Sequence, residues 1–230
     1  MIKTYYGPMG ASKTKTLLDI VNKDIYLKDR ILVFSPSKDV RFGVGKIKER
    51  DIIDKEGNII KGREIDSIII NDIFEIEQHL TITTKHVFID EINFFESEED
   101  EEKGITVKEL ERRRYESMRL LLKLCLDKKI NFYLFGLNLT AEMIPYGLMP
   151  AAIVFSTEPP EQLYAECVDC GDPARYTFYI PVEKETNVVG DDLYCALCGP
   201  CHFKWENKYQ ELKSQNNLDE YFRLAKVLKP

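Results

Sequence analysis

Six short apolar runs rich in β-branched and aromatic residues, at 2–6, 31–34, 67–70, 87–89, 131–135 and 152–155, constrain this chain more than any other feature. Runs of that length and composition are candidate buried strands. Helical periodicity fills several of the gaps between them, at 13–22, 73–80 and 107–128. Strands alternating with helices imply an α/β fold with a parallel sheet flanked by helices. With 44% hydrophobic residues in 230, the chain has ample material for a buried core. Near Pro159-Pro160 the alternation stops, and cysteines, short strands and turn residues take over, so a second, smaller unit begins there.

The first run leads straight into Gly7-Pro8-Met9-Gly10-Ala11-Ser12-Lys13-Thr14, which opens the first helical pattern. A glycine-rich turn between strand and helix, ending in Lys-Thr, is the context of a phosphate-binding loop. Backbone N–H groups at a helix N-terminus can wrap a triphosphate. In that reading Gly7, Pro8, Met9, Gly10, Ala11 and Ser12 form the ATP cradle, Lys13 reaches the β- and γ-phosphates, and the Thr14 hydroxyl ligates magnesium. Ser12 stands where such loops usually carry a glycine.

Val87-Phe88-Ile89-Asp90-Glu91 is an apolar strand tipped by two carboxylates. In a parallel sheet it delivers them to the carboxyl edge, where the loop after the first strand also lies. Asp90 is expected to hold the magnesium and Glu91 to accept the proton of an attacking hydroxyl.

Five of the six cysteines fall between Cys167 and Cys201. Cys167-Val168-Asp169-Cys170 and Cys198-Gly199-Pro200-Cys201 are two Cys-x-x-Cys knuckles about a hairpin apart, the spacing of a structural zinc ribbon. Cys195 and His202 stand beside them as substitutes, more simply read as a free thiol and a surface imidazole. Cys125, in an apolar helical stretch, reads as core.

A net charge of −7 disfavours nucleic-acid partners, whose affinity comes from clustered Lys and Arg. Part of the acidity lies in Glu96-Ser97-Glu98-Glu99-Asp100-Glu101-Glu102, read as a solvated loop. No apolar run is long enough to cross a bilayer, and the start enters a strand pattern instead of a signal-peptide pattern, so the expectation is a cytoplasmic protein without membrane contact.

A Gly-Pro-Met phosphate loop, the Asp-Glu-x-x-Phe-Phe element at Asp90 and a C-terminal zinc ribbon, in this order, resemble the zinc-containing thymidine kinases. Asp39-Val40-Arg41-Phe42, Gly136-Leu137-Asn138 to Pro145-Tyr146-Gly147, Tyr176-Thr177 and Tyr194 extend the resemblance over most of the chain. The resemblance implies a P-loop ATP-binding kinase domain at 1–160, a zinc ribbon with a substrate-covering loop at 161–205 and a helical tail at 206–230. It also implies transfer of the ATP γ-phosphate to the 5′-hydroxyl of thymidine, giving dTMP for nucleotide salvage, with Mg2+ and a structural Zn2+, by a homotetramer or dimer. By the same carry-over Glu91 is the general base. Met9, Phe94, Leu137 and Tyr146 match the pocket for the base, Thr177, Val189 and Tyr194 come from the covering loop, and Asp39 and Arg41 lie near phosphate and ribose. The chain departs from the family pattern at Ser12, at Asn138 in place of an aspartate, and at Ala141, Glu142 and Met143. Residues 96–109 look like an insertion. These departures leave two alternatives open: a kinase for another deoxynucleoside such as deoxyuridine, or a non-catalytic nucleotide-binding homologue.

Overall fold

Five of the six apolar runs become strands of one sheet in the computed structural model of the chain, which describes residues 1–23, 30–39, 45–97, 104–180 and 193–228. The chain divides into two units: Met1–Tyr6, Lys13–Asn138 and Tyr146–Glu161 form the first, and Gly7–Ser12, Leu139–Pro145 and Gln162–Pro230 the second.

In the first unit, β1 (Ile2–Tyr6), α1 (Lys13–Lys23) and β2 (Ile31–Pro36) precede a ribbon of short strands, β3 (Lys46–Lys48), β4 (Ile52–Ile53), β5 (Ile59–Ile60) and β6 (Glu64–Asp66). Within the ribbon β3 pairs with β6 and β4 with β5, all antiparallel. Next come β7 (Ile68–Ile70), the short helix α2 (Ile76–His79), β8 (His86–Ile89), the long helix α3 (Val107–Lys128), β9 (Asn131–Gly136) and α4 (Met149–Phe155). A two-residue edge strand, β10 (Glu161–Gln162), completes a sheet of order β10-β1-β9-β8-β2-β7. The pairs β1/β9, β9/β8, β8/β2 and β2/β7 are all parallel.

Side chains alternate across this sheet as the pleat requires. Phe34, Val87, Ile89, Phe132 and Leu134 pack on one face against Ile76 of α2, Met118, Leu121 and Leu124 of α3, and Met149 of α4. Val33, Phe88, Tyr133 and Phe135 pack on the other against Leu17, Leu18 and Val21 of α1. Both faces are covered, which is why the strands read as continuous apolar runs. Each fully buried Phe or Leu here contributes about 1.5–3 kcal/mol. Cys125 is buried in the first of these clusters, as core.

Two expectations need correction. Residues 152–155 close α4 and do not form a strand. Pro150 in the first turn presets a helical φ, and a four-residue apolar run carries no periodicity that separates a strand from a buried helix. The helix is tied to β1, because the Ala152 carbonyl accepts from the Thr4 hydroxyl at 3.1 Å and the Ser156 hydroxyl at 2.9 Å. The acidic run, in turn, is not solvated at its start. Glu96 is only 4% exposed and Ser97 is fully buried. Glu96 pairs with Arg113 Nε at 3.0 Å, and its carbonyl accepts from Arg114 Nε at 2.9 Å. Cations of α3 make the burial affordable, and the run's own charge gives no hint of them. Residues 98–103 lie outside the described residues.

The second unit pairs β11 (Ala165–Glu166) with β12 (Pro173–Ala174) and β13 (Tyr176–Tyr179) with β14 (Tyr194–Leu197), both antiparallel. Helices α5 (Gly199–Ser214) and α6 (Leu218–Leu224) follow. Phe178, Leu197, Trp205, Leu212 and Tyr221 make a core around the buried cysteines. Among the described residues no helix is long and apolar enough to cross a membrane.

Candidate active site

The phosphate-loop sequence occupies the turn between β1 and α1, and its backbone shows why particular residues stand there. A Cβ on Gly7 would sit 2.3 Å from the Leu163 carbonyl oxygen, so only glycine fits. The Ala11 N–H turns back to the Pro8 carbonyl at 3.3 Å. Gly10 has φ +77° and Ser12 φ +58°, both left-handed. The left-handed region is free for glycine and costly for serine, which gives the glycine usual at Ser12 a backbone reason in addition to a steric one. Met9 N–H donates to the Thr177 hydroxyl at 3.0 Å, joining two residues that the resemblance places at the nucleoside. Lys13, 7% exposed, and the half-buried Thr14 form the first turn of α1.

On the first unit's sheet, Ile89 at the end of β8 is level with Leu134 of β9, which is level with Thr4 of β1. Asp90 and Glu91 therefore leave the same carboxyl edge from which β1 runs toward Lys13, two strand spacings or about 10 Å across. Both carboxylates are buried, at 5% and 6% exposure. Glu91 has φ +46° and ψ +44°, a left-handed conformation for a residue with a full side chain. Strain of this kind gathers at sites where geometry serves function.

Immediately after Glu91 the chain makes a single turn, Ile92–Phe94, and Asn93 within it is fully buried. Its Oδ1 accepts from the Leu137 N–H at 2.9 Å, and a Cβ on Gly136 would meet that oxygen at 2.3 Å. Phe94 and Tyr146 meet edge to face with centroids 5.7 Å apart. Phe94, Leu137 and Tyr146, three predicted pocket residues, thus gather around Asn93, which the sequence reading passed over as an x in its motif. Lys38 was also missed: its Nζ donates to the Phe94 carbonyl at 3.3 Å and the Ser97 hydroxyl at 3.0 Å. Asp39 lies just past β2, with its N–H bonded to the Pro36 carbonyl at 3.0 Å. In the second unit, Thr177 is level with Ala196 and Tyr179 with Tyr194, so Thr177 and Tyr194 share one face of the β13/β14 ladder. Burial raises the Tyr194 phenol, and the neighbouring Tyr179 adds to the shift. Arg41 and Val189 lie outside the described residues.

The sulfur atoms of Cys167, Cys170, Cys198 and Cys201 all lie within 4.8 Å of one another, and Cys170 and Cys198 are 3.6 Å apart. Zinc–thiolate bonds of about 2.3 Å put ligand sulfurs about 3.8 Å apart in a tetrahedron, so the donor set fits a zinc ion. Burial opposes ionisation of Cys167, but the backbone N–H groups of Cys198, Asp169 and Cys170 outweigh it and bring the thiol down to about 7. Cys195 lies outside the quartet, and burial pushes its thiol up to about 12. His202 is outside it too, and contrary to expectation it is buried instead of on the surface.

The fold is of the phosphate-loop kind: a parallel α/β sheet flanked by helices, carrying a small C-terminal ribbon whose four cysteines can hold a zinc ion. The family model for thymidine kinase matches residues 1–202. The chain is 22% identical over 209 residues to a thymidine kinase of Mycoplasma mobile, covering 90% of each chain. It is 24% identical over 204 residues to one of Pseudothermotoga lettingae, covering 88% of this chain and 94% of that one. To one of Mycoplasmoides gallisepticum it is 29% identical over 209 residues, covering 87% and 80%. The chain belongs to the thymidine kinase family.

Proposed function

We propose that the chain is a cytoplasmic kinase that transfers the γ-phosphate of ATP to the 5′-hydroxyl of thymidine. The observation that carries this reading is the common sheet edge that Asp90 and Glu91 share with the strand leading to Lys13 and Thr14, in a chain of this family. The loop from Gly7 to Ser12 cradles the phosphates with the backbone N–H groups of its residues other than Pro8, and the Lys13 ammonium neutralises charge on the β- and γ-phosphates. Thr14 and Asp90 would hold a magnesium ion, which when bound supplies further neutralisation of the transferring phosphoryl group. Glu91, buried and fixed in its left-handed turn, takes the proton of the 5′-hydroxyl as that oxygen attacks.

By family resemblance, Phe94, Leu137 and Tyr146 are assigned to the apolar wall for the base, and Met9, Thr177, Val189, Tyr194, Asp39 and Arg41 are carried over as further candidates for binding the nucleoside. The four-cysteine zinc ion is structural, because four thiolates leave no open coordination position. A homo-oligomer, tetramer or dimer, is part of the proposal on family grounds.

The test is transfer of labelled γ-phosphate from Mg-ATP to thymidine, with deoxyuridine and deoxycytidine run alongside, by the wild type and by Glu91→Gln. Thymidine is expected to be preferred, and Glu91→Gln to reduce turnover by a factor of about 10²–10⁴, the usual share of a general base. Transfer to deoxyuridine in preference would redirect the substrate. No transfer by folded, zinc-loaded protein would leave a nucleotide-binding homologue without catalysis.

A further inference from the structure

Two bonds fix the backbone that follows β2 at the carboxyl edge of the first unit's sheet. The Ser37 N–H donates to the Ile70 carbonyl at 3.0 Å, and the Asp39 N–H to the Pro36 carbonyl at 3.0 Å. Lys38 lies between them and is half-buried. Its Nζ donates to the Phe94 carbonyl at 3.3 Å and to the Ser97 hydroxyl at 3.0 Å. Ordering a lysine side chain is entropically costly, and its three N–H donors offset that cost only where acceptors are in place.

Both acceptors belong to one short segment of the same unit. Phe94 closes the single turn after Glu91, in which the Phe94 N–H donates to the Glu91 carbonyl at 3.0 Å and the Phe95 N–H to the Ile92 carbonyl at 3.2 Å. A single turn has little cooperativity of its own, so its shape depends on what holds its ends. The sheet holds the first end, because the Asp90 N–H donates to the Phe34 carbonyl at 3.0 Å. Lys38 holds the second, joining the main chain of Phe94 to the hydroxyl of Ser97, a fully buried residue. Glu96, between the two acceptors, is tied to Arg113 and Arg114 of α3, so loss of the lysine would free Phe94 while the chain beyond it stays anchored. The Phe94 ring stands on that main chain and meets Tyr146 edge to face at 5.7 Å.

We propose that Lys38 is a positioning residue for the nucleoside: by clamping the main chain from Phe94 to Ser97 it sets the Phe94 ring against the base. The place of Phe94 at the base rests on the thymidine reading above. The acidic pair is held by the sheet, so the clamp acts on nucleoside binding and leaves phosphoryl transfer unchanged.

The test compares the full, zinc-loaded wild type with Lys38→Met, Ser97→Ala and the double variant. Methionine keeps most of the aliphatic stem and has no donor. Amide hydrogen exchange at Phe94 and Phe95 is measured beside the KM values for thymidine and ATP and kcat. Lys38→Met is expected to raise exchange and the thymidine KM about tenfold each, the loss of hydrogen bonds from a charged donor, with kcat and the ATP KM within about twofold of wild type. Ser97→Ala is expected to raise both about threefold, and the double variant to match Lys38→Met, because the clamp is already open. Unchanged exchange in Lys38→Met overturns the clamp whatever the activity. Raised exchange with unchanged thymidine KM overturns the positioning role. A change in kcat or in the ATP KM as large as that in the thymidine KM overturns it too, since a direct phosphate contact or a general loosening would then be responsible. Single-variant effects that multiply in the double variant overturn a shared clamp. If Lys38→Met does not fold, exchange and the KM values of Ser97→Ala decide the same questions. Absence of phosphoryl transfer by the wild type sinks the thymidine reading instead, and the exchange measurement still decides whether Lys38 holds the segment.

Discussion

Ser12 sits at φ +58° in the phosphate loop, and replacing it by glycine should stabilise the protein. An L-residue in the left-handed region costs about 1–2 kcal/mol relative to its preferred conformations. Glycine escapes that cost but gives the unfolded chain extra freedom worth about 0.5–1 kcal/mol. The difference, about 0.5–1 kcal/mol in favour of Ser12→Gly, corresponds to a rise of about 1–4 °C in the thermal midpoint for a chain of this size. Calorimetric unfolding of the wild type, Ser12→Gly and Ser12→Ala separates causes, since alanine shares the left-handed penalty and should stay within about 0.5 kcal/mol of wild type. A glycine variant less stable than wild type would refute the reasoning, and so would an alanine variant that gains as much as glycine, because the side chain and not φ would then be responsible.

Asn93→Ala leaves the Leu137 N–H without its acceptor and should cost about 2 kcal/mol, a midpoint drop of about 4–8 °C, while Asn93→Asp keeps the acceptor and should lose less; equal losses would remove Asn93 Oδ1 from the account. Glu96→Gln should destabilise by about 1–2 kcal/mol in denaturant unfolding, and a double-mutant cycle with Arg113→Met should show coupling between the two; a cycle without coupling would mean the pair adds nothing beyond packing. Trp205 is the chain's one tryptophan and packs in the core that holds Cys167, Cys198 and Cys201, so stripping zinc with a strong chelator, or Cys198→Ser, should red-shift its emission while most far-UV signal from the sheet persists; an unmoved spectrum in metal-free protein would deny the zinc a structural role.

What the sequence disclosed was local. The strand, glycine turn and Lys-Thr helix start at 2–14 are set by neighbours in the chain, and so is the helix at 107–128, whose start is fixed by Thr106 accepting from the Glu109 N–H at 3.2 Å. The four cysteines were legible because metal ligation imposes a spacing. The sheet order was not, since nothing near Ile2 announces its partner Phe132. The ribbon from β3 to β6 escaped notice because strands of two or three residues are too short to show a period. Asn93 and Lys38 were missed, and the buried His202 was read as a surface imidazole, for a shared reason: each meets a backbone carbonyl or N–H remote in sequence, and such a partner leaves no mark on residue type.

The order of strands also bears on how the chain acquires its shape as it is made. Strands β2, β7 and β8 emerge early and pair among themselves, whereas β1, first out, must wait for β9 more than a hundred residues later. At about 5–20 residues per second that wait is on the order of ten seconds. Until it ends, the apolar edge of β1 has no mate and the glycine turn hanging from it has no base, so the nascent chain's interval of exposure to chaperones and misassembly is set by a single long-range pairing.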